Sequence, residues 1–381
     1  MKTFSGHTTY VWSIDYLTFS SCQYLCSVSY DKTVRVWDVD TNKQIQLFNG
    51  HSDTVYCVKF SPYHYINHRR NIICSSSSDK TIRFWDIKNN RQLQIFDGHT
   101  NGVVGIEFSS FNGGRYLCSG SADNTIRLWD VETSKSLHVF SGHEKGIWSV
   151  DISPLQSNSN NESNNIGVIG GNGYTICSGS WDNTIRIWDI ETTKQFIVFK
   201  GHEKTVNSVK YGLNKLGISG DPNTILSGSE DRSIRLWDIR SGQQIQTFNG
   251  HSSGVSAIEY SPFVVDNIEL GSKNIMCSGS NDNTIRFWDI RSNKKELYVI
   301  EGDKRDSGIL CIKFISLKKK GNKRNYGGSV IVKFFKFLNK SNLLQYRIRK
   351  KNKQCSFGAD HFCKEIYLTK NHKEFAKKAK F

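Results

Sequence analysis

Cys118-Ser119-Gly120-Ser121-Ala122-Asp123-Asn124-Thr125-Ile126-Arg127-Leu128-Trp129-Asp130 is the stretch on which the reading of this chain turns. From Thr125 to Asp130 polar and apolar residues alternate one by one, the period of a strand. Ser-Gly-Ser followed by Asp supplies the turn before it. Outward from this pair, a further strand pattern precedes it over 102–109, and another follows over 136–140. Four short strands cannot bury both faces of their own sheet, so such a unit needs neighbours to stack on.

The neighbours are in the sequence. Trp-Asp recurs at Trp37-Asp38, Trp85-Asp86, Trp129-Asp130, Trp188-Asp189, Trp237-Asp238 and Trp288-Asp289. An Asp stands six residues before each Trp: Asp31, Asp79, Asp123, Asp182, Asp231 and Asp282. A Gly-His pair recurs with His7, His51, His99, His143, His202 and His251, and each of the first five Trp is followed 14 residues later by the next His. Closing such sheets radially removes the exposed edges that an open array would carry.

The spaced Gly-His, Ser-Gly-Ser, Asp and Trp-Asp signals resemble the WD-repeat family over six full units. The resemblance implies a toroid, most often of seven four-stranded blades, and a non-catalytic scaffold role. The expected fold is therefore all-β: a seven-bladed propeller over residues 1–317, with six regular blades and a degenerate seventh. The blades are expected to start near residues 6, 50, 98, 142, 201, 250 and 302, and a basic tail over 318–381 is expected to add at most irregular strands to the last blade. In that blade Glu301-Gly302-Asp303 replaces Gly-His, 309–314 reads as a first strand, and 329–338 and 343–348 read as second and third. The family closes its ring by lending the N-terminus to the last blade, for which residues 1–4 are available.

The resemblance also implies that each repeated His joins a second-strand Ser, the turn Asp and the Trp in a buried hydrogen-bonded tetrad. Ser, His and Asp also build hydrolases, but a nucleophile triad occurs once in one cleft. Here the set occurs in every unit, so no catalytic residue is expected. Arg35, Arg83, Arg127, Arg186, Arg235 and Arg286 recur in the same way and are read as structural.

The chain carries 51 Lys and Arg against 35 Asp and Glu, a formal charge of +16. Residues 318–381 hold 19 of the basic and 3 of the acidic residues, so the whole excess lies in the tail and the repeats are balanced. Lys318-Lys319-Lys320-Gly321-Asn322-Lys323-Arg324 is a solvated extension in the plainer reading. In the alternative it is an arm for nucleic acid or an anionic surface. Five cysteines, Cys26, Cys74, Cys118, Cys177 and Cys277, share one slot that Leu226 fills in the remaining unit, while Cys57 and Cys311 share another. A slot that accepts Cys or Leu is a small apolar position and not a metal ligand, so no metal or cofactor is expected. No run is long and apolar enough to span a membrane. The reading is a chain of the cytoplasm or nucleus, monomeric within a larger complex.

Function has room only where the copy is broken. The interval from His to the turn Asp runs 24, 28, 24, 39, 29 and 31 residues, so length varies only between the first and second strands, at the end away from Gly-His. The longest insert, 156–173, is rich in Asn, Ser and Gly and reads as a flexible loop. At the Gly-His end only side chains differ. Of nine Trp, six are repeated; Trp12, Trp148 and Trp181 fall at variable rim positions, with Tyr10, Tyr30, Tyr56, Val104 and Glu230 at equivalent ones. Large aromatics around one opening suit an interface. A peptide or protein partner is expected there; the alternative is that the rings plug the channel mouth.

Overall fold

The alternating runs form the strands that their period demands. The computed structural model describes residues 2–17, 23–153, 174–212, 223–267, 271–291, 296–302, 308–316, 331–338, 342–351, 365–368 and 378–380. Within them, six four-stranded antiparallel sheets follow one another along the chain. Blade three is typical: Val103–Phe108, Tyr116–Ser121, Thr125–Asp130 and Lys135–Ser141 pair in that order. The first strands of successive blades touch one another. Val11–Tyr16, Val55–Phe60, Val103–Phe108, Ile147–Ile152, Val206–Tyr211 and Val255–Asn267 are therefore innermost, around a central channel.

The core lies between blades and not within them. Val28, Val34, Val36 and Phe48 of blade one pack with Val55, Val58, Phe60, Ile73 and Trp85 of blade two in a single cluster. Burial of each such side chain stabilises the stack by about 1.5–3 kcal/mol. Gly120 shows how close the approach is. A Cβ there would sit 2.6 Å from the Cγ2 of Ile147 in the next blade, so this glycine serves packing as well as the turn, whereas blades one and two carry Val28 and Ser76 in the same slot. The Cys slot is buried in the same layers: Cys26, Cys74, Cys118, Cys177 and Cys277 are fully covered.

The turn after each second strand places the residue following Asp in the left-handed region: Lys32, Lys80, Asn124, Asn183, Arg232 and Asn283 have φ of 64–73°. Asn tolerates this better than most residues, and it fills three of the six positions. At the opposite end the connections diverge. Blade two carries a helix, Pro62–His68, with Pro at its first turn and Arg69 closing it at φ 53°. Blade three carries a single 3-10 turn, Asn112–Gly114.

A further sheet of six strands follows the six blades. Phe314–Ser316, Ile331–Leu338, Asn342–Lys351, Glu365–Leu368 and Lys378–Lys380 pair in sequence order, and Lys2–Ser5 pairs with residues 342–345. The first-strand pattern at 309–314 is a ladder strand only from Phe314 to Ser316. Its apolar residues are nevertheless in place: Ile309 and Ile312 approach Gly279 of blade six as Ile147 and Val150 approach Gly120. Asp303, the 318–324 run, Cys355, Cys363 and the insert 156–173 lie outside the described residues. No helix of the described residues is long and apolar enough to cross a membrane.

Candidate functional site

At one end of the ring, the loop before each innermost strand meets the turn after each second strand. In blade three His99 Nδ1 lies 2.8 Å from Asp123 Oδ2 and Nε2 lies 2.8 Å from Ser119 Oγ. Trp129 Nε1–H donates to the same Oγ at 2.8 Å. The same bonds join His7, Ser27, Asp31 and Trp37, and His51, Ser75, Asp79 and Trp85. They recur in His143, Ser178, Asp182 and Trp188, His202, Ser227, Asp231 and Trp237, and His251, Ser278, Asp282 and Trp288.

One proton arrangement satisfies every atom: Nδ1–H donates to the carboxylate, and the Ser hydroxyl donates to Nε2 while accepting from the indole. Burial pushes the six carboxyls up. The hydrogen bonds from His and from the Thr or Ser two residues on outweigh it and hold all six well below the usual range. Burial keeps His7, His51, His143 and His202 below their ordinary value, hence neutral. Ser119 is fully buried and its Oγ already holds two partners, so it offers a substrate nothing. The set ties loop to turn, at about 1 kcal/mol net per bond.

That tie fixes the rim on which the variable side chains stand. The backbone N–H of Tyr30 donates to the carbonyl of Tyr10 at 2.9 Å, and Trp181 N–H bonds the Gly146 carbonyl in the same way. Every innermost strand is bulged at the residue after its opening apolar one: Trp12, Tyr56, Val104, Trp148, Asn207 and Ser256. A bulge leaves that residue outside the ladder and re-aims its side chain. Four rings thereby meet. Trp12 lies 5.6 Å from Tyr56 and 6.1 Å from Trp148, Tyr56 lies 6.2 Å from Trp148, and Trp148 lies 5.6 Å from Trp181.

Trp12 belongs to blade one and Trp148 to blade four, so the rings converge across the opening. Trp12, Tyr56 and Trp148 are half-buried against one another, whereas Tyr10, Tyr30 and Trp181 remain 39, 56 and 37% exposed. Two of the sequence candidates stand apart. Val104 is buried. Glu230, on blade five, accepts a hydrogen bond from Asn207 Nδ2 at 3.3 Å. The indole N–H of Trp12 is buried without a partner.

Sequence reasoning missed what lies below the rings. Four residues beyond each strand opener stand Asp15, Lys59, Glu107, Asp151, Lys210, Glu259 and Lys313. Lys59 pairs with Glu107; Lys210 reaches Glu107 at 3.2 Å and Asp151 at 3.4 Å; Lys313 lies 3.5 Å from Asp15. Burial raises Glu107, but Lys210 and Lys59 outweigh it and hold the carboxylate ionised. A charged residue at one fixed slot of an otherwise apolar strand was the available signal. The girdle is satisfied internally, and among the described residues no group of His, Cys, Asp and Glu is arranged to hold a metal ion.

Comparison with known proteins agrees with this geometry. The family described as WD domain, G-beta repeat matches residues 1–38, 42–86, 90–130, 134–189, 193–238 and 242–289. Each match after the first runs from the outermost strand of one blade through the third strand of the next. The chain is 43% identical over 49 residues to transcription initiation factor TFIID subunit 5 of Caenorhabditis elegans, which covers 13% of this chain and 7% of that protein. It is 32% identical over 63 residues to the peroxisomal targeting signal 2 receptor of Mus musculus, 16% of this chain and 20% of the relative. The matched segments thus span a small part of either relative. With six matched repeats forming six blades, the chain belongs to the WD-repeat family and is an all-β propeller.

Proposed function

We propose that this propeller is a non-catalytic scaffold that binds a peptide or partner protein on its Gly-His rim. Tyr10, Trp12, Tyr30, Tyr56, Trp148 and Trp181 carry the contact, with Val104 and Glu230 at its border. The observation that carries the reading is that the three unrepeated tryptophans join one connected set at the channel mouth, Trp148 lying between Trp12 and Trp181. Large rigid rings bury much area at little entropic cost, which is how interfaces are anchored. The inner rings form a floor over the channel, and exposed Trp181, Tyr30 and Tyr10 are the surface a partner would cover.

Affinity purification of wild type beside Trp148→Ala/Trp181→Ala and Tyr30→Ala/Trp181→Ala tests this, with thermal unfolding of each. Both variants should lose the same partners; the second changes exposed residues only and should keep its melting temperature. Retention of all partners by both would overturn the proposal. The tail, with 19 basic residues against 3 acidic ones, supports a second reading as an arm for nucleic acid. In that case binding should fall steeply with salt and weaken sharply when Lys318, Lys319, Lys320, Lys323 and Arg324 are replaced by Gln.

We also propose that the ring closes as seven blades. Phe4 packs on Trp37 at 5.7 Å in the slot that Phe48 fills against Trp85, while Lys2–Ser5 pairs with the chain's far end. Lys313 joins the charged girdle from between blades six and one. The seven cysteines of the described residues are unpaired, which suits the reducing cytoplasm or nucleus.

A further inference from the structure

The end opposite the rim holds a second candidate site. Between blades one and two lies a cavity of about 840 Å³ whose lining includes the apolar Tyr24, Ile45 and Ile87 and the cations Arg69, Arg70, Lys88 and Arg91. Asp86 is the only carboxylate in its wall, and Arg70 already pairs with it. Arg69, Lys88 and Arg91 are exposed and make no ion pair among the described residues. Arg69 lies 5.7 Å from the Tyr65 ring, on the helix that only blade two carries here among the described residues.

The next blade provides the control. In blade three Arg115 occupies the place of Arg70 and pairs with Asp130 at 2.7 Å, as Arg70 pairs with Asp86. Two residues beyond, blade three has Glu132, which takes Arg115 at 2.8 Å; blade two has Lys88. In blade three this connection is thus neutralised from within, whereas in blade two the second carboxylate is replaced by a cation and Arg69 is added. Three uncompensated cations in a concave wall concentrate positive potential where an anion can reach it.

We propose that this cleft binds a phosphomonoester carried on a segment of a partner protein. Arginine forks match a dianionic phosphate oxygen pair, and Lys88 adds a point charge. A free phosphate would leave most of the cavity as water. A polypeptide can instead lay the side chain beside its phosphoresidue on Tyr24, Ile45 and Ile87. The site is independent of the aromatic rim, which lies at the other end of every strand.

The test uses the full chain and a pool of short fluorescein-labelled peptides with a central phosphoserine, beside the same pool unphosphorylated. Anisotropy should show the phosphorylated pool bound at least about tenfold more tightly, with inorganic phosphate as a competitor. Arg69→Gln/Lys88→Glu/Arg91→Gln, all exposed and with Arg70 kept on Asp86, should lose that preference and keep the wild-type melting temperature. Equal binding of both pools would overturn the proposal. So would a variant that keeps the preference, which would place the phosphate on the tail. So too would loss, in the variant, of sedimentation with phosphatidylserine-containing vesicles when neither pool is preferred, since the cleft would then face a membrane.

Discussion

The two ends of this propeller are built from the same strands and have diverged in opposite ways. At the Gly-His end the loops of the six regular blades are each tied to a turn through Asp, His, Ser and Trp, so the backbone is uniform and only side chains differ, as with Trp181 where blade five has Glu230. At the far end, among the described residues, no His, Asp, Ser and Trp set joins one connection to another. There the blades differ in loop length and in charge, as the helix Pro62–His68 and the exchange of Glu132 for Lys88 show. Where the backbone is pinned, variation is confined to the chemistry of the surface; where it is free, it extends to the shape of the cleft.

The largest effects should come from breaking the pinned end. Phe4→Ala removes a ring that is 2% exposed on Trp37, and if the ring of blades closes there it should destabilise the protein by about 3–4 kcal/mol in urea unfolding. A loss under 1 kcal/mol would mean that the N-terminal strand closes nothing. Asp123→Ala leaves the His99 ring, the Thr125 hydroxyl and the backbone N–H groups of Thr100 and Thr125 without their acceptor, for an expected loss of about 3 kcal/mol. At the far end, Arg115→Ala removes the partner of Asp130, but Arg115 is itself 38% exposed and screened by solvent, so a clearly smaller loss than that of Asp123→Ala is expected in the same unfolding measurement. Equal losses for these two would erase the distinction between the ends.

Acid should act on the pinned end first. Neutral His7, His51, His143 and His202 are held below their ordinary value chiefly by burial, so the unfolded chain takes up protons first as pH falls through about 6.5. The six turn carboxylates are held low against burial by their His and Thr or Ser donors. Their contribution is full above about pH 4 and is lost as pH falls toward their folded values. The melting temperature should therefore be flat from pH 8 to about 7, decline below about 6 and drop steeply below about 4. A maximum near pH 5 would contradict the neutral-His arrangement.

Much of the pinned end was legible because repetition makes it so. Asp, His and Trp at fixed intervals announce bonds that every blade needs, and the three odd tryptophans stand out against that background. The bulge at Trp12, Tyr56 and Trp148 was not legible, since period-2 alternation assigns a side chain to a face but cannot show where a strand gains a residue. Nor was the convergence of blades one and four on one mouth, which depends on channel width. The charged slot from Asp15 to Lys313 was visible but reads as solvated until the strand is known to be innermost. The Arg69 cleft needed the structure, because its walls come from two blades and a helix with no amphipathic period.

The smallest effect tests the copy itself. In blades one, two, four and five the repeated Arg reaches the Gln seven residues after Trp: Gln44, Gln92, Gln195 and Gln244 accept from Nη1 at 2.5–2.9 Å. In blade six Glu296 takes that role at 3.0 Å. Blade three has Ser136 in the Gln slot. Its hydroxyl is too short and the contact stretches to 3.5 Å; Arg127 Nε, which in the other five blades donates to the Thr or Ser two residues before the Arg, is also buried without a partner. Arg127 rests instead over the Trp129 ring at 5.9 Å. Ser136→Gln restores the longer acceptor on an exposed strand edge, so it should raise stability by about 0.5 kcal/mol without altering any partner bound at the rim. The same change in blade three of an Arg127→Ala background should do nothing, because the gain depends on the guanidinium that the glutamine is there to receive.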